Sequence, residues 1–239
     1  MREATSSSGG EHILYDADAA DGIDRAWFDP AALTAREKVT GSAGGRGRAQ
    51  FFRQDGAEYV LRHYRRGGKV AALLDDRYIY TGLHRTRAWR EWRLLAALAR
   101  GNLPAPRPCA ARVVIAGAFY RADLITYRLM NATPLSELLA RAPLAAKTWG
   151  EIGRVIAMFH AARVWHADLN AHNVLLDSDG AVTLIDFDRA RVRSPAARWR
   201  RANLARLHRS LRKLNYLHAG LHFSESDFDS LQTGYVSAA

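Results

Sequence analysis

Short apolar or alternating runs bounded by turn residues mark strands in the first half of the chain, and apolar residues at a spacing near 3.6 mark helices in much of the second. GSAGGRGRAQFFR (41–53) reads as a glycine-rich loop running into an apolar strand. Gln54-Asp55-Gly56 is a hairpin turn signal, and AEYVLRHY (57–64) alternates as the next strand. RRGGKVAALLDDRYIYTGLH follows as a basic, glycine-containing insertion. TRAWREWRLLAALAR (86–100) has helical spacing, with Thr86 placed to cap its start and Gly101 just past its end. After the proline-punctuated LPAPRPCA, the stretches ARVVIAG and FYRADLITYRL predict two further strands around Gly117. PLSELLARAP and KTWGEIGRVIAMFHAARV then predict helices, the second with Ile152, Val155, Ile156 and Phe159 on one face.

The change of character at Met130–Pro134 predicts an α+β protein of two lobes joined near residue 130. Residues 41–130 would form the strand-rich lobe and 131–239 a short helical one. Residues 1–40 read as a loose acidic lead-in that either lacks fixed structure or adds an edge to the first lobe. The 239 residues are 48% hydrophobic, which is ordinary for a globular chain. The single Cys109 excludes an internal disulfide framework and suits a reducing compartment. MREATSSSGGEH has no apolar core of a signal peptide, and no apolar run approaches the roughly 20 residues of a membrane span.

Charge narrows the partners. Residues 1–45 carry 4 basic and 8 acidic side chains, whereas residues 46–216 carry 31 and 13, a net +18. The middle of the chain therefore faces something anionic, such as a nucleotide, a phosphorylated glycolipid, a phospholipid or a nucleic acid.

Against that basic background, HADLNAHNVLLDSDGAVTLIDFDRA (166–190) concentrates carboxylates. VLLD and AVTLID read as a β-hairpin around Ser178-Asp179-Gly180, with Asp177 and Asp179 as turn formers. Asn173 and Asp186 are symmetric about position 179.5 and so are expected side by side at the open end. Asp168 lies five residues before Asn173, on the loop entering that end. Asn173 and Asp186 together suit a hard cation such as Mg²⁺, which takes a few oxygen ligands and completes its shell with water and phosphate. Asp168 is left to orient an attacking hydroxyl and accept its proton. His166 is placed as a loop support, and His172 either as an ordinary loop residue or as a contact to the acceptor.

HADLNAHN resembles the His-x-Asp-Leu-x-x-x-Asn catalytic loop of the protein-kinase superfamily, and IDFD stands where those proteins carry Asp-Phe-Gly. The resemblance implies a two-lobed protein-kinase-like fold with ATP and Mg²⁺ as cofactors. It gives Asp168 the catalytic role and Asn173 and Asp186 the metal. It puts Glu91 in the place of the third-helix glutamate and Gly41, Gly44, Gly45 and Gly47 in the place of the phosphate-covering loop. The residue expected to be Lys is Arg62, which keeps the charge and can fork onto phosphate and Glu91. Lys69 is the alternative phosphate contact.

Departures narrow the acceptor. Ala167 replaces the Arg that reads a phosphorylated activation loop, Asp188 replaces the Gly of Asp-Phe-Gly, and no Ala-Pro-Glu follows. These losses, with a chain that ends about fifty residues after Asp186, favour a small or lipid-borne acceptor over a protein. Within the superfamily the chain is most similar to the Kdo kinases, through VLRHYRRGG (60–68), DRYIYTGLHRTRAWREWRLL (76–95), LPAPRPCAARV (103–113), YRADLIT (120–126), HADLNAHNVLL and LIDFDRAR. That similarity implies ATP-dependent phosphorylation of 3-deoxy-D-manno-octulosonic acid (Kdo) on a lipid A precursor, at the cytoplasmic face of a bacterial inner membrane.

Residues 189–213 hold ten Arg or Lys, and Leu204, Leu207, Leu211 and Leu214 repeat at helical spacing. Leucines in the core would leave a basic face that, with Arg85, Arg87, Arg90 and Arg93, attracts anionic lipid as a peripheral membrane contact. Four rival functions are weighed. A nucleic-acid module would interleave aromatics with its basic residues, and here Phe51, Phe52, Tyr59 and Tyr64 read as strand packing, so no nucleic-acid partner is expected. An inactive scaffold would most simply have lost one of the three site residues. A heptose kinase of the lipopolysaccharide core shares the same chemistry. An aminoglycoside- or choline-kinase-like enzyme would need an acidic cleft for its cationic acceptor.

Overall fold

The computed structural model describes residues 1–18, 22–35, 38–43, 49–65 and 76–238. The chain divides into two compact units, one of Met1–Arg100 with Pro106–Arg128, the other of Gly101–Ala105 with Leu129–Ala239.

The first unit is built on an eight-stranded antiparallel sheet. Its strands are β1 (Glu3–Ser8), β2 (Glu11–Asp16), β3 (Val39–Ala43), β4 (Ala49–Gln54), β5 (Ala57–His63), β6 (Tyr78–Ile79), β7 (Pro108–Ala116) and β8 (Phe119–Tyr127). They lie in the order β1-β2-β7-β8-β5-β4-β3, with β6 also paired to β8. The β4–β5 turn is made by Asp55 and Gly56, both at positive φ, which matches the twist of a two-residue hairpin. Of the two readings of the acidic lead-in, the described residues take the one that adds an edge to the sheet. β1 and β2 add an antiparallel hairpin to the sheet beside β7. A 3₁₀ turn at Arg25–Phe28 and helix α1 (Pro30–Ala35) bring Trp27, Phe28 and Leu33 into one core with Phe52, Tyr59 and Ile125. β1 carries almost no apolar residue because, as an edge strand, it buries almost nothing.

Helix α2 (Arg87–Arg100) packs Trp89, Trp92, Leu95 and Leu98 inward. Thr86 precedes it as expected, but its hydroxyl donates back to the Leu83 carbonyl, and the Tyr120 hydroxyl receives the Arg87 N–H instead. At the other end it is Asn102, not Gly101, that takes the left-handed conformation.

In the second unit β9 (Thr133–Pro134), β11 (Val174–Leu176) and β12 (Val182–Leu184) form a three-stranded sheet, and β10 (Val164–Trp165) pairs with β13 (Arg191–Val192). The helices are α3 (Leu135–Leu139), α4 (Ala146–Ala161), α5 (Ala197–Leu217) and α6 (Glu225–Ala238). α3 is shorter than PLSELLARAP implies, ending well before Pro143. α4 buries Ile152, Val155, Ile156 and Phe159, the face its periodicity marks. The acidic tail gives little sign of α6. Ser224 and Asp227 cap its start, the Asp227 carboxylate accepting from both the Ser224 N–H and hydroxyl at 2.8 Å. It crosses α4 so closely that a Cβ on Gly153 would strike the Leu231 carbonyl, and one on Gly234 the Gly150 carbonyl. Among the described residues no helix is long and apolar enough to cross a membrane.

Candidate active site

The loop from His166 to Asn173 is held by its own polar side chains. The amides of Asn170 and Asn173 both donate to the main-chain carbonyl of Asp168, at 3.1 and 2.8 Å. Asn170 also accepts from the His172 N–H at 2.8 Å. These contacts pin the backbone that carries the Asp168 side chain. His172 is exposed, and its Nδ1 lies 2.7 Å from the hydroxyl of Ser136 on α3.

The hairpin that follows has a register one step away from the symmetric placement. Val174 pairs with Leu184 and Leu176 with Val182, so the centre falls on residue 179. The loop between Asp177 and Ala181 holds an odd number of residues, with the Asp177 carboxylate accepting from the N–H groups of Asp179 and Ala181. Asn173 is therefore bonded across to Ile185, whose N–H donates to the Asn173 carbonyl at 3.0 Å, and Asp186 comes one residue later. Strand alternation would send Asp186 to the opposite face. It is instead in the left-handed region at φ 63°, which breaks the alternation. That conformation costs a non-glycine residue about 1–2 kcal/mol and tends to persist where a site requires it.

His166 ties the loop to this corner. Its Nδ1 accepts from the Asp168 N–H at 3.2 Å, so Nε2 carries the proton and donates to the Ile185 carbonyl at 2.9 Å. Burial holds its pKa below the usual imidazole range, against the raising effect of the Ile185 bond and the charges of Asp186 and Asp168. A neutral, doubly bonded imidazole fixes geometry rather than moving protons. Phe187 packs against it, with ring centroids 5.0 Å apart, and stacks on Phe159 at 5.5 Å.

The donor set fits a hard cation. Asn173 is only 8% exposed. Its amide N–H is spent on Asp168, and its Oδ1 accepts no hydrogen bond from a described residue. Among the described residues no group of three or more His, Cys, Asp and Glu side chains is arranged to hold a metal. A Mg²⁺ ion needs no such cage, because one carboxamide and one carboxylate suffice when water and phosphate fill the shell.

In the first unit, Arg62 on β5 is ion-paired with Glu91 on α2. Glu91 is buried and accepts a second hydrogen bond, 2.5 Å long, from the Tyr64 hydroxyl. The Arg62 guanidinium also lies over the Tyr64 ring, 5.1 Å from its centroid. Burial, and after it the Glu91 charge, push the Tyr64 phenol well above its ordinary pKa, so it serves as a donor. Alternation alone marks Tyr64 only as strand packing. The signal for its second role is its place two residues from Arg62, on the same face of the strand. Gly41 lies within β3, opposite Phe51 at an irregularity of the β3–β4 register, rather than in a loop. Gly44, Gly45, Gly47 and Lys69 fall outside the described residues.

The basic helix α5 does more than its pattern implies. Leu204, Leu207 and Leu211 are buried as expected, and Trp199 is buried too, its indole N–H donating to the Ser194 carbonyl. A polar line at Asn203, Arg206 and Ser210 grips the loop. Asn203 bonds both main-chain groups of His166, Arg206 pairs with the Asp168 carboxylate, and Ser210 accepts from the Ala171 N–H. The 3–4 spacing of those polar residues is the signal that the leucine pattern hides. Partial burial raises the Asp168 pKa, but the Arg206 hydrogen bond and charge, aided by Asn170, bring it below the ordinary carboxylate value. Of the α2 arginines assigned to lipid, Arg87 donates to the Tyr78 hydroxyl and Arg93 pairs with Glu3. Arg85 and Arg90 remain exposed, as do Arg198, Arg201, Arg209 and Lys213.

The chain as a whole is similar to known proteins. Residues 31–235 match the model of the Lipopolysaccharide kinase (Kdo/WaaP) family. A 3-deoxy-D-manno-octulosonic acid kinase of Photobacterium profundum is 40% identical over 225 residues, 94% of each chain. Another, from Xanthomonas campestris pv. campestris (strain B100), is 46% identical over 202 residues, 84% of this chain and 80% of its own. A third, from Vibrio parahaemolyticus serotype O3:K6, is 40% identical over 216 residues, 90% of each.

Proposed function

The chain belongs to the lipopolysaccharide kinase (Kdo/WaaP) family and is an ATP-dependent sugar kinase, and on that basis we propose that it phosphorylates a hydroxyl of Kdo carried on a lipid A precursor. The two compact units are taken as the two lobes of a protein-kinase-like enzyme, the first serving the nucleotide phosphates and the second the metal and the acceptor. The observation that supports this most is the fixing of Asp168, Asn173 and the Ile185–Asp186 corner to one another through His166 and two asparagine amides.

In this reading Asp168 aligns the sugar hydroxyl and takes its proton as the new O–P bond forms and the bond to the leaving ADP oxygen breaks. Asn173 and Asp186 would hold Mg²⁺ through Oδ1 and the carboxylate. When bound, that ion would supply positive charge to the β- and γ-phosphates. Arg62, held by Glu91 and Tyr64, neutralises the α- and β-phosphates. Main-chain N–H groups along Gly44, Gly45 and Gly47 would cover the phosphates, where side chains would obstruct approach. The exposed arginines of α5, with Arg85 and Arg90, draw the enzyme to the anionic cytoplasmic face of the inner membrane, where such an acceptor lies.

Incubation with labelled ATP and separate acceptors tests the assignment. Label is expected on the Kdo-bearing lipid A precursor. Transfer to a heptosylated core, an aminoglycoside or casein, with none to the Kdo acceptor, would overturn it. A net +18 over residues 46–216 already speaks against the cationic aminoglycoside.

A further inference from the structure

Arg206 stands on α5 three residues after Asn203 and four before Ser210, so all three share one face of the helix. The two outer residues hold main-chain groups of the loop, at His166 and Ala171. Between them, Arg206 reaches a side chain. Its Nε, at 3.1 Å, and its Nη2 both donate to the same atom, Oδ1 of Asp168. The second carboxylate oxygen, Oδ2, receives no hydrogen bond from a described residue.

Stability does not explain the pair. Both side chains are about half exposed, 48% for Arg206 and 49% for Asp168. An ion pair in that setting adds little to stability. Nor does the pair belong with the solvated basic face, since the guanidinium is turned onto the loop. What two donors on one oxygen do is fix the rotation of the carboxylate. A carboxylate free to turn about its terminal torsion presents either oxygen over a broad range. One gripped at Oδ1 presents Oδ2 in a single direction.

We propose that Arg206 is a positioning residue for phosphoryl transfer: by holding Oδ1 of Asp168 it aims Oδ2 at the acceptor hydroxyl. This rests on the assignment of Asp168 given above. The arginine touches neither ATP nor the acceptor and acts through Asp168 alone, which fixes what its removal does.

Arg206→Ala is expected to lower kcat roughly 10- to 100-fold, the scale of a misplaced reacting group, and to leave the KM for ATP within about twofold. The unfolding temperature should change by only a few degrees, because the pair is half exposed. Arg206→Lys should recover part of kcat, since an ammonium supplies the charge but not the fork. Introduced into Asp168→Asn, Arg206→Ala should change the residual rate by less than about twofold, because a residue acting through another adds nothing once that residue is altered. A kcat for Arg206→Ala within about twofold of the parent would overturn the proposal. So would losses that multiply in the double variant, or a loss appearing as a raised KM for ATP. Full turnover by Asp168→Asn alone would instead remove the parent assignment, and that is seen before any Arg206 variant is made.

Discussion

Turnover should fall about 10²–10⁴-fold when Asp168 is replaced by asparagine, with the KM for ATP little changed. The substitution is nearly isosteric. The Asp168 carbonyl still accepts from Asn170 and Asn173, and its N–H still reaches His166, so the loop keeps its shape. The carboxamide oxygen still accepts from Arg206. What is lost is an anionic oxygen able to receive the acceptor's proton, while the groups assigned to ATP, namely Arg62, Glu91, Asn173 and Asp186, are untouched. Steady-state kinetics with ATP varied at saturating acceptor separates the two parameters. Turnover within about threefold of the parent would exclude Asp168 from proton transfer.

Glu91→Ala should damage both stability and nucleotide use. The carboxylate is buried at 4% exposure and takes hydrogen bonds from Arg62 and from Tyr64, itself 4% exposed. Removing one partner of a buried charged network typically costs about 3–5 kcal/mol, because the polar groups left behind stay desolvated. For a chain of this size that corresponds to a fall of roughly 10 °C in unfolding temperature. Arg62 also loses the acceptor that aims it, so the KM for ATP should rise. Glu91→Gln should be milder in stability, since its amide oxygen can still accept from Tyr64. Calorimetry and ATP titration of the two variants test this. An alanine variant as stable as the parent, with unchanged KM for ATP, would show that Glu91 braces nothing.

Much of this can be read from the chain because the main determinants are local. Asp55-Gly56 dictates its turn, alternation marks β5, short apolar runs mark β4, β7 and β8, and the helical spacing on α4 dictates its buried face. Three features are hidden because their causes are not local. β1 is a polar edge strand whose partner, not its own pattern, makes it a strand. α6 is positioned by backbone contact with α4 at Gly150, Gly153 and Gly234, and its sequence shows chiefly the Ser224–Asp227 cap. The hairpin register turns on whether its loop holds an even or odd number of residues, and that parity separates Asp186 from the position opposite Asn173.

The site divides in the same way. His166, Asp168, Asn173 and Asp186 stand together in sequence and are legible as one motif. Asn203, Arg206 and Ser210 support that motif from some forty residues downstream, on a helix whose dense arginines draw attention to its other face.

A divalent ion held by Asn173 and Asp186 is the central proposal. Binding of Mn²⁺ in place of Mg²⁺, followed by electron paramagnetic resonance with a non-hydrolysable ATP analogue present, tests this without relying on turnover. A bound-ion signal is expected for the parent and for Asp168→Asn, and its loss at the same concentrations for folded Asp186→Ala. An undiminished signal from Asp186→Ala would contradict it.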